Sequence, residues 1–216
     1  MRAILFDLDG TLVDSNDLHV GAWVIAFAEA GLAIDRATIR GQIGKGGDLL
    51  VPALAPDLDE AAQERVAERH GEVFKERFLD RVRPFPQAHA ILERAHAAGL
   101  KVAIASSASQ GELDHYLKLL DAEKLVDATT TIDDVGTSKP APDIFSVVLD
   151  KLPGVAPVEA MVIGDTPFDI ESASKAGVAT IAVRSGGFDD AALKGAAAIY
   201  DDIADLLARW RDSPLA

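Results

Sequence analysis

Short, uninterrupted runs of apolar residues place the strongest limit on how this chain can fold. Each run has the length of a strand, which is typical of strands buried on both faces of a sheet. Segments with the apolar spacing of an amphipathic helix separate them, as at Ala88, Ile91, Leu92 and Ala95. Strands that alternate with helices predict βαβ units, so we expect an α/β fold: a doubly wound, Rossmann-like parallel sheet with helices on both faces. The apolar runs are Ala3–Phe6, Val102–Ala105, Met161–Ile163 and Ala179–Val183.

The alternation is absent over residues 15–83, where no buried-strand run occurs. A glycine-rich turn lies in the middle of this region, between segments with helical apolar spacing. Pro84–Pro86 then stiffens the return to the alternating part, as a hinge or linker does. We interpret residues 15–83 as an all-α insertion, the cap domain, and residues 1–14 and 84–216 together as the core domain.

Composition narrows the classes of function. The 21 basic and 35 acidic residues give a formal net charge of −14, which repels the phosphates of DNA and RNA. The chain has no cysteine, so disulfides, thiolate metal sites and cysteine nucleophiles are excluded. No apolar run reaches the ~18 residues of a membrane span, and no signal-type segment follows Met1. We expect a cytoplasmic monomer that binds neither a nucleic acid nor a membrane.

Polar residues follow the predicted strands at their carboxyl ends. Asp7 and Asp9 come after the first strand, Ser106 after the second and Asp165 after a later one. In an open parallel sheet, ligands bind outside the carboxyl ends of the strands, so we expect these side chains to converge. Clustered acids repel each other unless a cation lies among them, and oxygen ligands without histidine or cysteine favour Mg²⁺.

This set of residues suits phosphoryl transfer to a carboxylate. Asp7 can attack phosphorus as a nucleophile and form an aspartyl-phosphate. Asp9 can protonate the leaving oxygen and then deprotonate the water that hydrolyses the intermediate. Mg²⁺ and Lys139 offset the charge of the phosphoryl oxygens, which Ser106 and backbone N–H groups hold by hydrogen bonds. The prediction is a magnesium-dependent phosphatase that acts on a small phosphorylated metabolite.

The same residues resemble the four motifs of the haloacid dehalogenase (HAD) superfamily, in that family's order and from end to end of the predicted core. The helical insertion resembles the cap of phosphoglycolate phosphatase-like members. Such a cap is expected to close on a substrate, exclude bulk water and carry selectivity. The four motifs are Asp7–Ser15, Ser106, Lys139-Pro140 and Gly164–Asp169.

The resemblance implies a set of metal ligands. It places Mg²⁺ on a carboxylate oxygen of Asp7, the carbonyl oxygen of Asp9, and Asp165. It also implies that Asp169 supports the metal, either through water or as a further ligand. The residues that we assign to substrate binding are Thr11, Ser107, His19 and Lys45.

Two of the substrate-binding residues lie in the predicted cap and also have plainer interpretations. His19, one helical turn before Trp23, can be purely structural, and Lys45 can be a solvated surface lysine. If Lys45 instead closes over the site, it meets a second anionic group of the substrate.

Single residues distinguish other branches of the family. Dehalogenases carry no carboxylate at the position of Asp9, because their chemistry does not protonate an alkoxide. The β-phosphoglucomutase branch shares His19 and the Ser138–Phe145 stretch. Its fourth motif, however, has Glu-Asp in place of Gly164-Asp165 and no acid at the position of Asp169. The phosphatase pattern fits better, and the mutase stays the alternative.

A phospho-accepting receiver module is the alternative from another functional class. Receivers also combine aspartates, Mg²⁺, a hydroxyl and a Lys-Pro pair on a parallel sheet. In a receiver the lysine follows the other motifs, whereas Lys139 precedes Asp165 here. The long helical insertion has no purpose in a receiver either, so this interpretation is disfavoured.

Overall fold

A parallel sheet flanked by helices forms the centre of the structure, a computed structural model that describes residues 1–216. The strands are β1 (Ala3–Phe6), β2 (Val13–Asp14), β3 (Arg83–Pro84), β4 (Lys101–Ala105), β5 (Ala128–Thr130), β6 (Ala160–Gly164), β7 (Ala179–Val183) and β8 (Ala198–Tyr200). The helices are α1 (Asn16–Glu29), α2 (Arg36–Arg40), α3 (Gly47–Leu54), α4 (Glu60–Arg77), α5 (Ala88–Ala97), α6 (Gln110–Leu119), α7 (Asp143–Asp150), α8 (Pro167–Lys175) and α9 (Ile203–Ala208).

Six of the strands form one sheet in the order β5-β4-β1-β6-β7-β8, and every neighbouring pair is parallel. The predicted α/β fold is confirmed, since the four predicted strands are β4, β1, β6 and β7 in the middle of this sheet. The outer strands β5 and β8 were not predicted. Each is three residues long and only partly buried, so neither carries a distinct apolar run.

Helices cover both faces of the sheet. Successive side chains of a strand point to opposite faces, so Ile4 and Phe6 join one apolar cluster and Ala3 and Leu5 join the other. The first cluster includes residues of α5, α6 and α9, and the second includes residues of α7 and α8. Burial of a large apolar side chain contributes about 1.5–3 kcal/mol. The fully buried β1 is therefore a rigid support for the residue that follows it.

The region between β2 and β3 is helical, as predicted, and consists of α1 to α4 with a short 3₁₀ turn at Leu79–Arg81. Ten buried residues of this region form a separate apolar cluster around Trp23 and Phe27. Val73 and Phe74, on the last helix of the region, instead join the larger cluster on the sheet. The helices thus have a small core of their own and also pack against the rest of the molecule.

The chain enters and leaves the helical region through one antiparallel ribbon. Val13 of β2 pairs with Pro84 of β3, and Asp14 pairs with Arg83. The exact division into core and cap at these positions stays a prediction, as do the cytoplasmic location and the monomeric state. No helix is both long enough and apolar enough to cross a bilayer.

Candidate active site

Three neighbouring strands, β4, β1 and β6, end beside one another and carry polar residues at their carboxyl ends. Asp7 follows β1, Ser106 follows β4 and Asp165 follows β6. Asp169 lies in the first turn of α8, and Lys139 lies in the loop before α7. Side chains that are far apart in sequence are thus brought to the edge at which open parallel sheets bind ligands.

Three buried carboxylates form the centre of the site. Oxygens of Asp7, Asp165 and Asp169 lie within 4.8 Å of one another. Lys139 is only 2% exposed, and its Nζ donates to Asp7 Oδ1 and lies 2.7 Å from Asp169 Oδ1. With one ammonium among three carboxylates, the ionised cluster has two negative charges in excess. A divalent cation would balance this excess, and a donor set made only of oxygen suits Mg²⁺.

The pKa values of the cluster reflect its burial and crowding. Burial raises the pKa of Asp7 to about 7, an effect that Lys139 opposes and that the charges of Asp169 and Asp9 increase. Burial raises the pKa of Asp165 well above its ordinary value, and the charges of Asp169 and Asp7 raise it further. Burial lowers the pKa of Lys139, but the neighbouring carboxylates outweigh it and hold that pKa above the ordinary value. Lys139 is therefore charged, and the acids need a further cation to be fully ionised.

Hydrogen bonds fix both oxygens of Asp165. Thr11 Oγ1 donates to Asp165 Oδ1 at 3.0 Å, and Asn16 Nδ2 donates to Asp165 Oδ2 at 3.0 Å. Glycines leave room for this carboxylate, since a Cβ on Gly10 or Gly186 would lie 2.1 or 2.0 Å from Asp165 Oδ2. We predicted that Thr11 binds substrate, but the structure buries it fully beside Asp165, and it does not line the cavity described below.

The first turn of α8 fixes Asp169. The backbone N–H and the hydroxyl of Thr166 donate to Asp169 Oδ2 at 3.0 and 2.6 Å. Thr166 Oγ1 accepts in return from the N–H of Asp169 at 3.2 Å, which completes a capping box. One oxygen of Asp169 is thus engaged by the helix terminus, while the other orients Lys139.

Asp9 contacts α1 on the other side of the site. Ser15 Oγ donates to Asp9 Oδ1 at 2.6 Å, and His19 Nε2 lies 3.2 Å from the same oxygen. Burial raises the pKa of Asp9, but the charge of His19 and the hydrogen bonds from His19 and Ser15 bring it below its ordinary value. Burial lowers the pKa of His19, and the charge and hydrogen bond of Asp9 more than reverse this. The pair therefore favours a carboxylate on Asp9 and a proton on His19.

An aromatic stack supports His19 from the helical region. The ring of His19 stacks on Phe74 with centroids 3.8 Å apart, and its Nδ1 lies 3.3 Å from Nε2 of His70. The ring of His70 stacks in turn on Trp23, also at 3.8 Å. Burial lowers the pKa of His70 well below its ordinary value, and the charge of His19 lowers it further, so His70 is neutral. His70 was not predicted from the sequence, because nothing in the charged pattern of α4 distinguishes it from a surface residue.

A cavity of about 310 Å³ lies between these groups of the core and the helical region. The core side presents charged residues such as Asp7 and Lys139, and the helical side presents aromatic rings, glycines and one lysine. Asp48 and Glu112 also line the cavity, and neither was predicted. The predicted site residues that line the cavity are Asp7, Asp9, His19, Lys45, Ser107 and Lys139.

The two serines after β4 are placed differently. Ser106 is fully buried, and its Oγ accepts from the N–H of Ala108 at 3.1 Å. Ser107 lines the cavity, and its Oγ has no hydrogen-bond partner in the protein. Of the two, Ser107 is therefore the residue that belongs to the cavity wall and has an unpartnered hydroxyl.

The glycine-rich turn forms one wall of the cavity and is seated against the core. The N–H of Gly46 donates to Ser138 Oγ at 2.9 Å, and the N–H of Ser138 donates to Asp48 Oδ2 at 3.0 Å. A side chain would disturb this contact, because a Cβ on Gly46 would lie 2.6 Å from the Cβ of Ser138. The helical region thus touches the core at the residue immediately before Lys139.

Lys45 projects from the same turn into the cavity lining. Its Nζ donates to Gln42 Oε1 at 2.6 Å and lies 4.9 Å from the centroid of the Phe168 ring. An amide and an aromatic ring hold the ammonium in place without neutralising its charge. The charge of Lys45 is thus available to an anionic ligand.

The fold and the site together define a class of protein: a Rossmann-like α/β hydrolase with a buried acid cluster and lysine at its strand ends. A family profile described as haloacid dehalogenase-like hydrolase matches residues 4–183, and the chain belongs to this family. The resemblance predicted from the motifs is confirmed, and the chain is accordingly an enzyme of the hydrolase class.

Individual relatives match most of the chain. A phosphoglycolate phosphatase of Rhodospirillum rubrum is 32% identical in an alignment of 226 residues, which covers 95% of this chain and 89% of that protein. A phosphorylated carbohydrates phosphatase of Thermotoga maritima is 31% identical, with 84% of each chain covered. The crystal structure of a hydrolase from Pseudomonas syringae matches with a TM-score of 0.91 at 31% identity, over 98% of this chain and 99% of that one.

Proposed function

We propose that this hydrolase is a phosphatase that cleaves small phosphate monoesters through a phosphorylated Asp7, with Mg²⁺ as its cofactor. The observation that carries the proposal is the contact of buried Lys139 with both Asp7 and Asp169 inside the acid cluster. A carboxylate that attacks an anionic ester needs positive charge close by, which Lys139 and a divalent ion provide. The phosphatase names of relatives at 31–32% identity support the same assignment.

Asp7 begins the proposed reaction. One of its carboxylate oxygens attacks phosphorus, the bond from phosphorus to the ester oxygen breaks, and the phosphoryl group becomes bonded to Asp7. Lys139 offsets the charge on the phosphoryl oxygens, and the hydroxyl of Ser107, which has no partner in the protein, donates to them. Mg²⁺ held by Asp7, Asp165 and the carbonyl of Asp9 would supply further positive charge there.

Asp9 and His19 carry out the proton transfers of the proposed reaction. The departing ester oxygen needs a proton, and the pair holds one between Asp9 Oδ1 and His19 Nε2. His19 transfers that proton to Asp9, and Asp9 passes it to the leaving oxygen. As a carboxylate again, Asp9 then takes a proton from the water that attacks phosphorylated Asp7. His19 thus gains a part in proton transfer beyond the substrate contact that we predicted from sequence.

The proposed substrates are small and carry a second anionic group. The cavity of about 310 Å³ is at the lower end of the size of small-molecule pockets. Lys45 provides a positive charge on the wall that the helical region contributes. Phosphoglycolate, named for one relative, fits this description because its carboxylate is a second anion, and the phosphorylated carbohydrates named for the other fit it where they bear a second phosphate. The net charge of −14 opposes nucleic acids as substrates.

A sugar-phosphate mutase related to β-phosphoglucomutase is the alternative. That branch lacks an acid at the position of Asp169, whereas Asp169 here lies 2.7 Å from Lys139. This contact favours the phosphatase, because Asp169 then takes part in fixing the lysine that faces the attacking carboxylate.

Phosphate release from a panel of phosphorylated metabolites, with Mg²⁺ or with a chelator, tests the proposal. We expect continuous turnover of at least one small monoester, loss of turnover in the chelator and recovery when Mg²⁺ is restored. A single round of self-phosphorylation without release would indicate a receiver module. Transfer of the phosphoryl group to a second position of a sugar would establish the mutase.

A further inference from the structure

Asn16 is buried at the boundary between the acid cluster and the helical region. It is the first residue of α1 and is 5% exposed. Its Nδ2 donates to Asp165 Oδ2 at 3.0 Å. The preceding Ser15 bonds Asp9 with its side chain, so two consecutive residues of this turn reach two different acids of the core.

The amide oxygen of Asn16 has no partner in the protein. Asn16 Oδ1 is buried and makes no hydrogen bond to any protein group. A buried acceptor without a donor is unfavourable, so such atoms in native proteins usually meet water or a ligand. The absence of a side chain at Gly10 leaves room for the Asn16 amide, because a Cβ on Gly10 would lie 2.3 Å from Asn16 Nδ2.

We propose that Asn16 is a positioning residue for the metal site: it orients Asp165 through Nδ2 and accepts a hydrogen bond at Oδ1 from the hydration shell of the bound ion. Ligating carboxylates are held by such outer partners, and loss of one commonly weakens metal binding about 10–100-fold. The inference rests on the proposed function, which places the ion at Asp165. Since Asn16 belongs to α1, it also links the occupied metal site to the helical region.

Isothermal calorimetry with Mg²⁺ on the full chain is the first test. We expect Asn16→Ala to raise the Kd for Mg²⁺ about tenfold or more relative to wild type. Asp17→Asn is the matched control, because Asp17 lies in the same turn, is exposed and pairs with Arg36 and Arg40 on the surface. Its Kd is expected to stay within about twofold of wild type.

Asn16→Asp separates a metal-linked role from a merely structural one. The substitution keeps an acceptor but replaces the donor with a charge that faces Asp165. We expect a lower Tm than wild type in chelator and a larger rise of Tm on addition of Mg²⁺, since the cation relieves the added repulsion. Equal losses of Tm with and without Mg²⁺ would overturn the inference.

Asn16 can also be observed directly, because it is the only asparagine in the chain. Selective ¹⁵N-asparagine labelling gives one side-chain amide nitrogen signal, seen as a pair of proton peaks. We expect this signal to shift on Mg²⁺ titration with the midpoint found by calorimetry. A signal unaffected by Mg²⁺, or wild-type affinity in Asn16→Ala, contradicts the role of Asn16.

The proposed function fails in a different way. If wild type binds Mg²⁺ and Asp165→Asn removes the binding, the metal site stands whatever the Asn16 variants do. If wild type binds no Mg²⁺ at millimolar concentration, the metal site and the role of Asn16 are both wrong.

Discussion

The ammonium of Lys139 contacts two buried carboxylates at once, those of Asp7 and Asp169. Truncating one partner of a buried ion pair leaves the other charge without compensation, which is strongly destabilising. A Lys139 variant would therefore mix lost chemistry with lost folding. At Asp7 an amide keeps the shape of the carboxylate, so this position gives the cleaner test.

Asp7→Asn is expected to abolish turnover while the chain stays folded. An amide is a poor nucleophile, and loss of a covalent nucleophile lowers the rate by at least about 10³-fold. The substitution also removes one of three crowded negative charges, so Tm in chelator should not fall. Phosphate release and circular dichroism measure the two effects, and substantial residual turnover would refute the assignment of the nucleophile.

Asp9→Asn should affect esters according to their leaving groups. An alkyl ester needs protonation of its departing oxygen, and loss of general acid–base catalysis costs about 10²–10⁴-fold. A nitrophenyl ester needs little protonation, so its first step should slow much less. Single-turnover rates for the two esters, measured on the same variant, make the comparison. Equal slowing of both would remove Asp9 from the acid role.

Lys45→Ala should discriminate substrates by charge. The ammonium of Lys45 lines the cavity and is not neutralised by its amide and aromatic neighbours. We expect KM to rise about tenfold for an ester with a second anion and to change little for one without it. The ester that lacks the second anion is the control, and a uniform change across both would make Lys45 a bystander.

The glycine-rich turn is the element that seats the helical region on the core. Gly46→Ala puts a Cβ 2.6 Å from the Cβ of Ser138, so the turn must shift away from the loop that carries Lys139. Small displacements of groups around a reacting centre are costly, and we expect kcat/KM to fall about 10–100-fold.

Gly41→Ala is the matched control for that substitution. A Cβ on Gly41 meets only backbone oxygens at 3.6 and 3.8 Å, which is ordinary contact distance. Neither glycine has a positive φ, so the exchange for alanine strains neither backbone. Comparing kcat/KM of the two variants, with Tm as a check on folding, measures the effect of the contact between the turn and Ser138. Equal kinetics would show that the contact with Ser138 is dispensable.

At the scale of the whole molecule, the acid cluster makes stability depend on pH when no metal is bound. The pKa of Asp7 is raised to about 7 in the folded chain, so its stabilising protonation is lost as pH rises through that value. His19, with a raised pKa, acts in the same direction. His70, with a lowered pKa, acts in the opposite direction, mainly below about pH 6.5.

In chelator we therefore expect stability to fall between about pH 6.5 and about pH 8.5. For Asp7 alone the loss is about 1 kcal/mol, or about 2–4 °C in Tm for a chain of this size. Mg²⁺ should flatten the slope, because a bound cation favours the ionised acids in the folded state. Thermal melts across this range, with and without Mg²⁺, provide the measurement. A slope of opposite sign in chelator would contradict the raised pKa of Asp7 in the folded chain.

The features that could be predicted from the sequence are those that a local residue pattern determines. The central strands carry continuous apolar runs, and Asp7, Asp165 and Asp169 follow strands whose order sets where their side chains meet. The contacts across the cavity could not be predicted, because His70 and Asp48 belong to helices whose docking depends on the packing of the whole chain. The sequence pattern also lacked a signal for Thr11 turning toward Asp165.

The ribbon of β2 and β3 has an evolutionary consequence. Asp14 and Arg83 are pairing partners, so the stretch between them departs from and rejoins the sheet domain at a single point. A stretch with adjacent ends can be lengthened, shortened or exchanged as a cassette without disturbing the strands that carry the acid cluster. Related enzymes can therefore acquire new substrate preferences by changes in the part of this cassette beyond α1, while Ser15, Asn16 and His19 keep their contacts with the core carboxylates.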